Sequence, residues 1–305
     1  MNILKFPQFQ PINISMREEI FAITSRYPAY HDFSLGNLYC WNTDDSLEIC
    51  LLNNNLVVKF PDYLNNSKHY LSFLGDNQPQ DTAKQLIEYS TEKFRQSYMR
   101  YVPEVSIESL ERNDAFMIEP NRDDFDYVFE TKKYLNFDGH ILSKVKSEYG
   151  HFYKKNKPSL KVETFQDISD THWGEIREIF KVWLSSKPHP EQFDQEKIAI
   201  EKMATLPANF LKHWAMLVYL NDKPVGFTVY EIKEDWAICH FAKADMQFPH
   251  IFNYVFIESF RKLAEANINH INLEPDLGIE GLRISKERKH PSGFLKKYTV
   301  SLKKS

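Results

Sequence analysis

The run from His213 to Phe241, HWAMLVYLNDKPVGFTVYEIKEDWAICHF, decides the fold. It holds three strand-like stretches, His213 to Leu220, Pro224 to Ile232 and Trp236 to Phe241, rich in β-branched and aromatic residues. Asn221-Asp222-Lys223 and Lys233-Glu234-Asp235 separate them, polar turns short enough to join antiparallel neighbours. Upstream, Thr171 to Ser185 carries Trp173, Ile176, Phe180, Trp183 and Leu184 on one helical stripe. Downstream, Phe252, Val255, Phe256, Phe260 and Leu263 mark a second helix, and Ile271 to Leu273 a short strand.

The first half has the same order. Ser15-Met16-Arg17-Glu18 reads as a capping box with Ser15 as N-cap, and Met16, Ile20, Ile23 and Tyr27 follow at helical spacing up to Pro28. Leu47 to Leu52, Leu56 to Phe60 and Tyr70 to Leu74 read as strands, the first two joined by Asn53-Asn54-Asn55. A helix after Pro79 carries Ala83, Leu86, Ile87, Ser90, Phe94 and Tyr98 on one face. Helix, antiparallel meander, helix and strand, given twice, is an α+β order and predicts two similar domains, 1–130 and 131–305. Charge marks the boundary: Glu104 to Asp138 holds ten acids against four bases, whereas Gly139 to Lys161 holds six Lys against Glu148 alone.

The length of 305 residues suits two domains of roughly 150. The 23 Phe, 16 Tyr and 5 Trp exclude disorder for most of the chain. The net charge of −4 gives no overall basic balance toward nucleic acid or membrane. Cys40, Cys50 and Cys239 are too few for a disulfide framework or a Cys-rich zinc site, and read as small buried hydrophobes in a reducing compartment. With no charged-then-apolar leader and no apolar run near ~20 residues, the expectation is a cytoplasmic protein, with at most peripheral membrane contact. Nine glycines, no Walker loop, no dinucleotide fingerprint, no G-x-S-x-G and no H-E-x-x-H leave the commonest phosphate, serine-nucleophile and metal sites without residues. Ser143 and Lys146 form an S-x-x-K without its companion elements. No cofactor and no metal are expected.

Three clusters in the last third bear chemistry. His240-Phe241-Ala242-Lys243-Ala244-Asp245 ends a strand; its bland reading is a satisfied core histidine and a solvated Lys. Glu274-Pro275-Asp276 leaves a strand before Gly278, either as a ligand-facing acidic pair or as an N-cap for a helix starting near Ile279. Arg283 and Lys286, three apart, share a helix face and suit phosphate or carboxylate oxygens, or belong to a solvated basic tail.

Together these strings resemble the phosphatidylglycerol lysyltransferase C-terminal-domain family of Fem-like aminoacyltransferases. Asn272 and Glu274, the run from Asp276 through Gly278 and Gly281 to Arg283, Lys286, Pro291 and Lys297-Tyr298 carry it. His240 with Lys243-Ala244-Asp245, Asp126-Tyr127-Val128 with Leu135 and Gly139, and Tyr27 to Phe33 with Trp41 extend it. The resemblance implies two tandem GNAT-like (acyl-CoA N-acyltransferase type) domains, each a mixed, mostly antiparallel sheet flanked by helices, with the site in the second. It implies transfer of an acyl or aminoacyl group from an activated ester to a hydroxyl or amine. The glycine-rich pyrophosphate loop of acetyl-CoA enzymes is missing after Phe241, which favours aminoacyl-tRNA, or another anionic donor, over acetyl-CoA. In this reading Arg283 and Lys286 hold a phosphate or oxyanion, with Lys243 and Asp245 beside them. Glu274 or Asp276 orients the acceptor, and His240 relays its proton. Two other readings stand beside it: a non-catalytic ligand-binding protein on the same fold, and a CoA-dependent N-acyltransferase with an atypical loop.

Overall fold

The computed structural model describes residues 2–63, 68–108, 110–137, 140–207 and 209–303. Gly139, one of the residues carrying the resemblance, lies outside them. The chain forms two compact units. The first comprises 1–126, 275–283 and 294–305; the second comprises 127–274 and 284–293. The expected division into 1–130 and 131–305 runs straight along the chain, whereas the C-terminal strand Lys297–Leu302 lies between two strands of the first unit. Pairing between residues nearly two hundred positions apart leaves no local signal, which is why charge patterning did not show it.

In the first unit, β1 (Gln10–Pro11), β2 (Glu48–Leu52), β3 (Asn55–Pro61) and β4 (His69–Leu74) form an antiparallel sheet in that order. Asn53 and Asn54 take positive φ (52° and 62°) between β2 and β3, the conformation a tight hairpin needs and Asn tolerates. Helix α1 (Arg17–Thr24) is preceded by a 3-10 turn that Asn13 caps through the Ser15 amide. Asn13 thus takes the place expected of Ser15. Helix α2 (Pro79–Phe94) buries Ala83, Leu86 and Ile87 against a core that includes Val57, Phe73, Met99 and Val300. Strands β5 (Tyr98–Pro103) and β6 (Phe116–Pro120) flank the C-terminal strand, and the short helix α3 (Glu104–Ile107) follows β5 directly.

The second unit is built on strands in the order β7 (Asp126–Glu130), β12 (His270–Asn272), β11 (Trp236–Ala244), β10 (Lys223–Lys233), β9 (His213–Leu220) and β8 (Leu160–Phe165). All neighbours are antiparallel except β11 and β12. Helix α4 (Ser143–Asn156) packs on α7 (Ile251–Glu265) through Tyr149 and Phe152 against Tyr254. Ser169 caps α5 (Asp170–Ser185), and α6 (Asp194–Ala204) follows it. Gly226 lets α7 approach β10: a Cβ there would lie 2.5 Å from Val255 Cγ2. Helix α8 (Glu280–Glu287) carries the chain from the first unit back to the second. Within each unit the chain gives a helix, a three-stranded antiparallel meander, a helix and a strand (α1, β2–β4, α2, β5, and α5, β9–β11, α7, β12). Among the described residues no helix is long and apolar enough to cross a membrane.

Candidate functional site

The strand pair β11–β12 is parallel and short. Its register runs Trp236↔His270, Ala237↔Ile271 and Ile238↔Asn272, and then the strands part. Two irregularities coincide there. On the β10 side of β11 the register slips from Val229↔Phe241 to Tyr230↔Cys239, so His240 is an extra residue, a β-bulge that re-aims its side chain. On the β12 side, Glu274 takes φ of +61°, a strained conformation for a side chain of this kind. That backbone is over-determined: Asn272 Oδ1 accepts from the Glu274 amide at 2.6 Å, and the Glu274 carbonyl accepts from the Tyr127 amide at 3.3 Å and from Lys286 Nζ at 3.1 Å.

The bulge and the strained turn bring three side chains together. His240 Nδ1 lies 3.1 Å from Glu274 Oε1, and Nε2 lies 3.1 Å from Glu231 Oε2 on β10. The ring is wholly buried, whereas the Glu274 side chain is 21% exposed. Burial alone pulls an imidazole pKa down, but hydrogen bonds to Glu231 and Glu274 outweigh it and raise His240 to about 9. At neutral pH His240 is therefore an imidazolium donating from both nitrogens. It has no lone pair to accept a proton and no surface to meet a substrate. It fixes and polarises Glu274, the member that solvent reaches. Lys286 also stands 5.7 Å from the centroid of the Tyr127 ring, so its ammonium lies beside the Glu274 backbone.

The other expected residues lie elsewhere. Lys243 bonds Glu196 of α6 at 2.5 Å and sits 4.5 Å from the Trp183 ring centroid, only 13% exposed, so it is not a solvated lysine. Asp245 accepts from the Gln247 amide and closes the turn after β11. In the first unit, fully buried Asp276 accepts Arg283 on both oxygens at 2.9 Å, the Gly278 amide at 2.9 Å and Arg122 at 3.4 Å. Arg283 also bonds Asp123 at 2.6 Å. The guanidinium expected to grip an anion thus has its Nε and Nη2 hydrogens taken by carboxylates, and Asp276 works as the anchor of the turn into α8. That turn needs Gly278: φ is +75°, and a Cβ would lie 2.9 Å from Asp123 Oδ2. Cys40, Cys50 and Cys239 are free and buried, and burial pushes the Cys239 thiol up to about 12, far from a thiolate.

Sequence reasoning missed two groups. Glu231 was legible only as a charge inside an otherwise apolar strand run. The second group joins His31, Asp32, Asp126 and Lys297 of the first unit, residues that entered only through the family strings. His31, Asp32 and Asp126 each offer a ligand atom within 4.8 Å of the others, as a metal site does. Lys297 Nζ occupies that place, 2.5 Å from Asp32 Oδ2, 2.7 Å from Asp126 Oδ1 and 3.1 Å from His31 Nδ1. Lys297 and the two carboxylates are fully buried, and Asp126 is held well below the usual carboxylate range: burial raises it, and Lys297 and His31 more than reverse that. The ammonium supplies the charge a metal ion would.

The family described as phosphatidylglycerol lysyltransferase, C-terminal, matches residues 24–301. The chain belongs to that family. Among solved structures it is similar to a conserved protein of unknown function from Bacteroides thetaiotaomicron, with 22% identity, 97% of this chain and 99% of that one covered, and a TM-score of 0.81. It is similar to L-PGS from Bacillus licheniformis, with 12% identity, 99% and 93% coverage and a TM-score of 0.61. FemX follows with 9% identity, 96% of each chain and a TM-score of 0.55. At these identities the likenesses show the fold alone, one that the chain shares with L-PGS and FemX. Family and fold together suggest a lysylphosphatidylglycerol-synthetase-like or Fem-type aminoacyltransferase.

Proposed function

We propose that this family member is an aminoacyltransferase. It takes an aminoacyl group from an activated ester, aminoacyl-tRNA, and passes it to a hydroxyl or amine, in the cytoplasm. The two units are its tandem GNAT-type domains, and the reaction belongs to the second. The observation that carries the reading is the His240-buttressed Glu274 at the parting of β11 and β12, where a bulge and a strained backbone hold one carboxylate toward solvent. Glu274 would accept the proton of the attacking hydroxyl or amine and hand it to the ribose oxygen as the ester C–O bond breaks, so that deacylated tRNA leaves. Lys286 would face the oxyanion that develops on the ester carbonyl. His240 and Glu231 act as positioning residues behind Glu274. Lys243 and Asp245 shape the end of β11, and Asp276 with Arg283 hold the turn at Gly278. The ester is already activated, so placement and charge are what the protein must add.

A screen of charged tRNAs and acyl-CoAs as donors, with phosphatidylglycerol vesicles, peptides and small amines as acceptors, tests this reading. Turnover from a charged tRNA supports it. Turnover from acyl-CoA alone would replace it with a CoA-dependent acyltransferase, and tight ligand binding without turnover from any donor with a binding protein.

A further inference from the structure

The stretch where the charge balance reverses folds as α4, and nothing above gives its outer face a task. Its inner side is used up: Val145, Tyr149 and Phe152 are buried, with Tyr149 stacked on Tyr254 at 5.0 Å and Phe152 4.7 Å from the same ring. Around the rest of the helix and its C-cap, Lys144, Lys146, Lys154, Lys155 and Lys157 are exposed. Two rows at i, i+7 and i+11 run along the surface, Lys144–His151–Lys155 and Lys146–Tyr153–Lys157, with Lys154 between them. Among the described residues, none of the five lysines has a carboxylate within ion-pair distance. The helix's one acid, Glu148, is only 18% exposed and is engaged by Arg288 and Asn253. Tyr153 is 37% exposed, and the Lys157 ammonium stands 5.9 Å from its ring centroid.

Unpaired like charges in two rows about 17 Å long, one down each flank of the helix's solvent side, with Lys154 between them and the Tyr153 ring within the second row, fit a polyanion. A membrane-surface helix needs an apolar face to sink between head groups, and here that face is already packed on α7. We propose that the outer face of α4 is a docking surface for the phosphate backbone of RNA, the body of the donor. The choice of RNA among polyanions rests on the aminoacyl-tRNA reading above; the surface itself does not.

The test uses the full chain and unfractionated deacylated tRNA, followed by fluorescence anisotropy from 50 to 300 mM KCl. Lysines that neutralise duplex phosphates each add roughly 0.9 to the slope of log affinity against log salt. Lys144→Ala/Lys154→Ala/Lys155→Ala should therefore flatten the slope by about 2–3 and weaken binding by about tenfold or more at 100 mM salt. Its melting temperature should stay that of the parent, because all three side chains are exposed, and the Lys→Arg triple should restore binding. Unchanged tRNA binding in the Ala triple overturns the proposal. So does loss of binding to phosphatidylglycerol vesicles with tRNA binding intact, which would make α4 a membrane face. Salt-dependent tRNA binding through α4 without any transfer would keep the surface and sink the proposed activity; transfer with an unchanged KM for the charged tRNA in the Ala triple would do the reverse.

Discussion

His240→Gln removes the one cation between two carboxylates, and the structure sets the size of the effect. A rise in the His240 pKa from 6.5 to about 9 corresponds to about 3 kcal/mol favouring the folded, protonated state. Because the folded pKa lies above the unfolded one, that stabilisation is fully present below about pH 6.5 and is lost as pH rises through about 9. At roughly 2–4 °C per kcal/mol, the second unit should lose about 6–12 °C of melting temperature across this window in the parent. His240→Gln should melt lower at pH 6 and show little of that slope. Lys233 and Lys289, pushed down to about 8 and about 7 by burial, titrate in the same window with the opposite sign. They are present in both proteins, so the difference between the two pH profiles isolates His240. The assay is thermal unfolding by circular dichroism from pH 5.5 to 10. Parallel profiles for parent and variant would refute the claim that His240 is a buried imidazolium clamped by Glu231 and Glu274.

Other outcomes follow from the same geometry. Lys297→Met should leave Asp32 and Asp126 buried without a counter-charge and cost about 3–5 kcal/mol, read as a lower urea midpoint; a midpoint within error of the parent would mean that the ammonium is not holding the cluster. Arg283→Ala should melt several degrees early, and Arg283→Lys should recover only part, since an ammonium cannot span both Asp276 oxygens; an unchanged melting temperature would return Arg283 to the list of anion grips. Acetyl-CoA should show no micromolar binding by titration calorimetry, because no glycine-rich cradle of backbone N–H groups follows Phe241; a micromolar constant would favour the CoA reading.

Much of each unit was legible because its signals are local. The meander from His213, the helix stripes of α5 and α7, and the Asn-rich turn between β2 and β3 follow from alternation, 3.6-residue periodicity and residues that accept positive φ. The C-terminal strand was not, because its partners β5 and β6 lie about two hundred residues upstream. The candidate site was half legible. His240 and Glu274 stood out as titratable residues at strand ends, yet no pattern reveals a one-residue register slip, and the slip is what turns His240 toward Glu231. The pairing of Asp276 with Arg283 was hidden for a related reason. Seven residues apart on either side of a glycine turn, they suit a ligand as well as they suit each other, and only coordinates show that they chose each other. Lys297 and His31 are separated by most of the chain, so their meeting with Asp32 and Asp126 could be seen only after folding.

The central claim is that Glu274 performs the proton transfer, and Glu274→Gln tests it most directly. Gln keeps the shape and can still accept from the His240 ring, but it has no carboxylate to take a proton. With a charged tRNA and acceptor that the parent turns over, the variant should lose about 100-fold or more in kcat, the usual worth of a positioned general base, with its KM for the donor and its melting temperature at pH 10, where His240 is neutral, little changed. A variant that transfers as fast as the parent would contradict the account.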